Sequence, residues 1–495
     1  MIYFIGIDVG TVSCRCGIFD SYGRVVAMAV KSYDVYYPEP GRAEIDMNVI
    51  LDSLKSCLKE CVNHANKSVG INVKDIKALC CDSTACTVLA VDREGRPLMP
   101  AILWCDVRAS KEAMEINTKG KAEILKYCGG SVSPEWLLPK ALWIKRNRPE
   151  IYKKAFKILE ACDWITWMLT GELKASLCSA VCKANYFQGW DEDFFRNVGL
   201  EDFREKLPQD VLSMESYVGR LKKDVAESAG LDRIVVAMGG VDAHCGMLGL
   251  GCTEPGELAA ILGSSSVYLL NNNEPNFIDG IWGPYKDAVI EGLWTNEGGQ
   301  ISSGSVIKWF RDNFAPDEEY ASLDRKAEIV PIGSKGIIAL EYFQGNRSPH
   351  KDPLAKGLFV GMRIGSKREE MYRAILEACA YGMREIIESF HGAIIKELRV
   401  CGGQTDSKFF LQMYSDVCGL PILIPEVKEA GVLGCAALAS VAYGAYKNIR
   451  EACKNMVRIR ERIEPEEEKT EQYAHYYELY KEAYRINAEL MHMLG

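Results

Sequence analysis

The sequence predicts a mixed α/β protein made of two related halves with a cleft between them. Three observations carry this. The opening segment alternates apolar strands with turns, then gives an amphipathic helix and a further strand; a similar strand–turn–strand pattern restarts after Gly256; and 495 residues are enough for two to four domains at about 100 to 200 residues each.

Taken in order, YFIGIDVG, CRCGIFD and RVVAMAV, with a turn at Ser21-Tyr22-Gly23, read as an antiparallel meander. Met47, Ile50, Leu51, Leu54, Leu58, Cys61, Val62 and Ala65 recur at helical spacing and form one apolar face. ALCCDSTACTVLAVDREGRPL then repeats the look of the opening: an apolar strand, a Glu94-Gly95 turn and an Arg-led return. IVVAMGG is a further strand, and GELAAILGSSSVYLL is a strand, a small-residue turn and a second strand. Beyond these lie a long helix at 369–390, the strand ELRVCGG, a helix at 408–417 and an Ala-rich helix from 430. The charge run at 461–469 reads as a solvated turn before a C-terminal helix, and no repeat of period 20 to 50 residues is present.

Composition excludes several classes. Hydrophobic residues make up 48% and charged residues 26%, as in ordinary soluble domains. With 59 Lys+Arg against 68 Asp+Glu, the net charge of -9 leaves no basic surplus to attract nucleic acid. The 19 cysteines are scattered and odd in number, which predicts reduced thiols and a cytoplasmic protein. MIYFIGIDVG lacks a basic leader and reaches Asp8 after a short apolar run, so it is a buried strand rather than a signal peptide. The uncharged stretch at 430–446 falls short of the roughly 20 residues of a membrane span and is expected to be a buried helix.

Neither a GK[ST] loop nor an HExxH motif occurs, and Cys178 and Cys182, one helical turn apart, lack a matching pair for zinc. What remains is three Gly/Ser/Thr-rich turns, each after an apolar strand: 8–13, 263–266 and 401–405. Small residues there let backbone N–H groups approach an anion, and a neighbouring carboxylate suits a hydrated magnesium ion. Singly, each is as well explained by a structural hairpin; three in one chain point to a phosphate clamp. Asp242 follows IVVAMGG at a strand mouth, where it could act as a general base or cap the following helix.

In order along the chain, GIDVGTVSCR, GNRSPHKDPLAKGLFVGM, RVCGGQTDSKFFLQMYSDVCGLPI and EAGVLGCAALA resemble the FGGY carbohydrate kinases, ATP-dependent sugar kinases with two actin-like (ribonuclease H-like) domains around a catalytic cleft. The resemblance runs nearly end to end and implies an N-terminal domain at 1–252, carrying sugar and base, and a nucleotide-binding domain at 253–495. SPEWLLPKALWIKRNRPEIYKKAFKILEACDWITWMLTGE and CKANYF look most like ribulokinases, and Ala85-Cys86 stands where glycerol kinases carry an Arg-Glu pair.

The resemblance implies ATP and Mg2+ as cofactors, with Asp242 as catalytic base and Asp8 holding the metal through water. It places Thr11, Ser13 and Arg15 on one side of the phosphates, Gly263 and Ser264 on the other, and Gly304, Gly402 and Gly403 at the nucleotide. It assigns Ala85, Trp136, Lys183, Asp242 and Glu297 to the sugar. Ser407 stands where many relatives have Asn, so its shorter side chain is expected to reach adenine through water or leave base selection loose. A ketopentose such as ribulose, phosphorylated on its 5-hydroxyl, is the implied substrate. Xylulose, erythritol or glycerol are the alternatives, and a non-catalytic actin-like ATP-binding scaffold is the alternative of another class. The expected partners are a sugar and ATP, with no nucleic acid and no membrane; a homodimer is left open.

Overall fold

The computed structural model describes residues 1–494, which form two mixed sheets with the same underlying strand order. In the first half β1 (Tyr3–Val9), β2 (Ser13–Asp20) and β3 (Val25–Ser32) make the expected antiparallel meander. Helix α1 (Met47–His64) buries Met47, Ile50, Leu54, Leu58, Cys61 and Val62, the anticipated face. The chain then returns as β4 (Ile76–Ser83), parallel to β1. After α2 (Leu177–Lys183), β5 (Tyr217–Arg220) and β6 (Val235–Ala237) complete the order β5-β6-β4-β1-β2-β3, and α3 (Asp242–Gly249) follows β6.

The second half repeats the plan. β7 (Glu257–Leu262) and β8 (Ser266–Asn272) are antiparallel, followed by β9 (Trp282–Lys286) and β10 (Trp294–Gln300). Helices α4 (Gly304–Phe314) and α5 (Arg368–Ser389) lead to β11 (Glu397–Cys401), parallel to β7 as β4 is to β1. Next come α6 (Lys408–Cys418), β12 (Ile422–Pro425), α7 (Ala430–Tyr443), β13 (Ile459–Ile463) and α8 (Glu467–Met493). The sheet order is β9-β10-β8-β7-β11-β12-β13.

Two expectations are corrected. The segment after β4 does not repeat the meander in one sheet: the chain breaks at Thr84–Thr87, and Val88–Val91 joins a separate four-stranded sheet. The charge run does not begin as a solvated turn, because its first residues belong to Ile459–Ile463, which pairs antiparallel with β12 as an edge strand of the second sheet. The Ala-rich segment is buried as α7, and among the described residues no helix is long and apolar enough to cross a membrane.

Helix α7 joins the halves. It packs on β1 and β4 of the first sheet and crosses α3. Glycines make that approach possible: a Cβ on Gly6, Gly249 or Gly434 would collide with the backbone carbonyl of Val432, Ala430 or Cys245 respectively.

Candidate active site

The β1–β2 turn is held tightly, with Gly10 N donating to Ser13 O at 3.0 Å and Tyr33 OH to Gly10 O at 2.6 Å. Thr11 sits at its tip, its Oγ1 accepting from Trp104 Nε1 at 2.9 Å, while Ser13 is buried at the start of β2. Directly opposite each other across β1 and β2, Asp8 and Arg15 form an ion pair of 3.0 Å. Arg15 therefore neutralises the carboxylate expected to serve the metal, in a position to exchange that partner for a phosphate.

On the other side of β1, Asp82 of β4 lies opposite Asp8 and is completely buried. Its carboxyl receives Val9 N at 3.3 Å and the Cys435 thiol of α7 at 3.3 Å. Burial first, then the carboxylates of Asp8 and Asp242, hold it well above the usual carboxylate range. This third acid was missed by sequence reasoning. Its signal was a lone Asp inside the otherwise apolar strand ALCCDS, where an unpaired charge has no stable place.

Asp242 stands at the first position of α3, reached by a bridge between Ser83 and Val241 that continues the first sheet. Its Oδ1 accepts from Ala243 N at 2.7 Å, a local contact within the first helical turn that leaves Oδ2 for other chemistry. Burial and the neighbouring Asp8 raise its pKa to about 7, which suits a proton acceptor near neutrality.

The two turns of the second half are stapled to one another. Gln404 Nε2 donates to Gly263 O at 2.7 Å and Ser303 Oγ at 3.1 Å, and Tyr414 OH fixes the amide from behind at 2.8 Å. Ser264 O receives the N–H groups of Ser303 and Ser305, drawing Gly304 against Gly263. Gly402 has φ +103° and its α-carbon faces the Leu262 carbonyl, an approach no side chain would permit. Beside them opens a cavity of about 710 Å³ lined by Gly263, Ser264, Gly304, Gly403 and Ser407, with Tyr320, Asp324 and Phe410 at its walls. Ser407 does not project freely into it: its Oγ accepts from Phe410 N at 3.2 Å and caps α6.

The structure also joins Lys183 to Glu297. Lys183 ends α2, Glu297 lies on β10, and Nζ donates to Oε2 at 2.9 Å in a buried ion pair. Burial opposes both charges, yet each outweighs it for the other: Glu297 is held below the carboxylate range and Lys183 above the usual ammonium value. The ammonium lies 4.3 Å from the Trp282 ring centroid, 5.5 Å from Trp136 and 5.7 Å from Tyr285. Trp136 is fully buried and T-shaped on Trp282, so it packs beside the ion pair rather than forming an exposed platform. Ala85 lies at a turn whose next residue, Cys86, has φ +59°. Buried Lys140 holds that turn through the carbonyls of Cys86 at 2.6 Å and Leu103 at 2.7 Å. Trp136 Nε1, Asn185 Oδ1, His244 Nε2 and Tyr285 OH are buried without a hydrogen-bond partner in the protein. Buried polar atoms without partners are rare, and these are groups that a hydroxylated guest would satisfy.

A duplicated α/β unit, glycine-lined turns beside a large cavity and an acid at the mouth of the sheet define a sugar-kinase fold. Residues 3–249 match the N-terminal domain of the FGGY family of carbohydrate kinases and residues 258–443 its C-terminal domain. The chain belongs to that family. It is 31% identical to an FGGY carbohydrate kinase domain-containing protein of Xenopus laevis, covering 100% of this chain and 98% of the relative. It is 33% identical to a ribulokinase of Geobacillus thermodenitrificans, covering 93% and 90%. A ligand-bound xylulose kinase from Lactobacillus acidophilus superposes with a TM-score of 0.90 at 22% identity, covering 100% of each chain. Plasmodium falciparum glycerol kinase with ADP superposes with a TM-score of 0.85 at 22% identity, covering 98% of each.

Proposed function

We propose that this carbohydrate kinase is a pentulose kinase of ribulokinase type, transferring the terminal phosphoryl group of ATP to the 5-hydroxyl of a ketopentose, with ribulose as the preferred substrate. The observation that carries this reading is the buried Lys183–Glu297 ion pair, whose carboxylate is near enough to act on Asp242. It offers a cationic donor for a carbonyl oxygen and an anionic acceptor for hydroxyls, whereas Ala85-Cys86 supplies no charge to grip a small triol. The ribulokinase relatives support the same substrate class.

In the reaction Asp242 takes the proton of the sugar hydroxyl as its oxygen bonds to the terminal phosphorus and the bond to the ADP oxygen breaks. Arg15 and the N–H groups that follow Gly10 and Gly263 in their turns would face the phosphates, with Thr11 beside them; the Gly10 and Gly263 N–H groups themselves bond to Ser13 O and Ser265 O. Gly304, Gly403 and Ser407 line the nucleotide cavity, and Gly402 precedes Gly403 in the same turn. The oxygen-only character of Asp8 and the acids near it fits magnesium, which Asp8 would hold through water. Magnesium supplies charge neutralisation on the phosphates. Residues 1–252 provide the base and Lys183, and 253–495 the nucleotide site. Glu297, on β10, brings the second half into the sugar pocket as well.

The deciding experiment is a coupled ADP assay with D- and L-ribulose, D- and L-xylulose, erythritol and glycerol at equal concentration. The reading requires ATP turnover that depends on sugar and is fastest with a ribulose. Glycerol or erythritol as the best substrate would overturn the pentulose assignment, and sugar-independent ATP binding without turnover would indicate a scaffold.

A further inference from the structure

Beside Glu297, the first turn of α3 places His244 against α2. Cys178 Sγ lies 3.1 Å from His244 Nδ1, and both side chains are completely buried. The opposite ring nitrogen, Nε2, makes no hydrogen bond and lies 3.9 Å from Glu297 Oε2, the oxygen that Lys183 already holds. Among the described residues, the side-chain hydrogen bond that Glu297 receives goes to Oε2 and not to Oε1. Cys182 completes a trio of ligand-type atoms within 4.8 Å of one another, but no fourth joins them. A closed zinc site takes four ligands, so the trio reads as a hydrogen-bonded chain.

The protons can be placed by elimination. If the Cys178 thiol donates to Nδ1, a neutral imidazole carries its own hydrogen on Nε2; if that proton has crossed to the ring, both nitrogens carry one. The remaining arrangement, Nδ1–H donating to sulfur, would aim the bare Nε2 lone pair at a carboxylate. In each favourable state Nε2–H points at Glu297, about 1 Å beyond hydrogen-bond reach.

We propose that His244 is a positioning residue for the sugar pocket: anchored by Cys178 at Nδ1, it closes through Nε2–H onto Glu297 Oε2 when sugar binds. With Lys183 it then fixes that oxygen and presents Oε1 to a sugar hydroxyl. Because His244 and Asp242 share the first turn of α3, the same contact registers the sugar-binding carboxylate against the helix that carries the base. The inference rests on the reading of Glu297 as a sugar ligand.

The test is steady-state kinetics with the best sugar from the substrate panel. His244→Leu should raise the sugar KM by about 10- to 100-fold, the usual worth of a hydrogen bond to a charged group, and leave the ATP KM within about 2-fold. His244→Gln, which can restore an N–H toward Glu297, should recover the sugar KM to within about 3-fold. In a Glu297→Gln background, His244→Leu should add less than about 3-fold, since the group it positions is already altered. Unchanged sugar KM in His244→Leu, no recovery in His244→Gln, or multiplicative effects in the double variant would each overturn the inference while leaving the pocket reading intact. If Glu297→Gln itself leaves the sugar KM unchanged, the pocket reading fails and the inference falls with it. Should His244→Leu not fold, Cys178→Val, which frees Nδ1 while keeping the ring, should raise the sugar KM by about 3- to 10-fold, and no change in it would overturn the inference.

Discussion

Lys183 and Glu297 stand 114 positions apart in the chain and meet as a 2.9 Å ion pair that ties the end of a helix in the first half to a strand in the second. Neither charge is stable there without the other, because removing one partner of a buried pair strands the remaining ion, at a cost of about 3 to 5 kcal/mol. Lys183→Ala should therefore lower the melting temperature as well as depress kcat/KM for ribulose by about 10² or more, with the ATP KM nearly unchanged. The double variant Lys183→Met, Glu297→Leu should regain most of the lost melting temperature and none of the activity. Thermal melts beside kinetics check this; recovery of activity in the double variant would remove the pair from the sugar site.

Asp242 illustrates a cost of function. Its folded pKa of about 7 lies above the ordinary carboxylate value of 3.8. Between those values the native protein holds a proton that the unfolded chain has released, so this group's contribution to stability is full below pH 4 and is lost as pH rises through 7. As a base it must be ionised, so kcat/KM for sugar should climb up to about pH 7 and level off above it. Asp242→Asn should lower turnover by roughly 10² to 10⁴. It should also raise the melting temperature by about 2 to 5 °C at pH 8, with the gain disappearing near pH 4. An Asn variant whose gain in melting temperature over the parent is no larger at pH 8 than at pH 4 would contradict the raised pKa.

Much of this was legible in the sequence because the governing signals are local. Period-2 strands and small-residue turns gave β1 to β3, β7 and β8, and the 3.6-residue face gave α1. Pairings made across long separations were not legible. Val88–Val91 read as part of the apolar strand before the Glu94-Gly95 turn, but only tertiary packing assigns it to another sheet. Asp82 and Lys140 carry no motif of their own, and Gln404, though inside the 401–405 turn, matters as they do through partners dozens to hundreds of residues away. Ser407 has a local role that its place in the turn did not show: its Oγ accepts from Phe410 N and caps α6, while the residue also lines the nucleotide cavity.

Gln404 offers a test confined to the nucleotide half. Its amide bonds Gly263 O and Ser303 Oγ together, and Tyr414 holds it in orientation, so it fixes the spacing of the turns at 263–266 and 401–405. Gln404→Leu keeps the volume but loses these bonds, leaving a buried Tyr414 hydroxyl without its acceptor. The ATP KM should rise about 10-fold with the sugar KM within about 2-fold. Isothermal titration with a non-hydrolysable ATP analogue checks the binding directly, and an unchanged affinity would mean that the two turns are held by other contacts.

The crossing of α3 and α7 predicts where a single methyl group should do most damage. Gly434 of α7 faces the Cys245 carbonyl of α3, backbone against backbone, so an added Cβ cannot be absorbed by rotating a side chain. The helices must part, and overpacking of this kind costs about 1 to 3 kcal/mol. The displacement would be transmitted to two elements of the proposed active site, since α3 begins at Asp242 and α7 presents the Cys435 thiol to Asp82 beside Asp8. A shift of about 1 Å in a positioned base can lower turnover by about 10². Gly434→Ala should thus reduce both the denaturation midpoint and kcat. Ser440→Ala, on the same helix but losing only a local bond to the Ala437 carbonyl, should reduce neither appreciably. Denaturant unfolding and kcat measured on both variants decide the matter. If Gly434→Ala matches the parent in stability and turnover, close contact between these helices is not what aligns the base with the metal-side carboxylates.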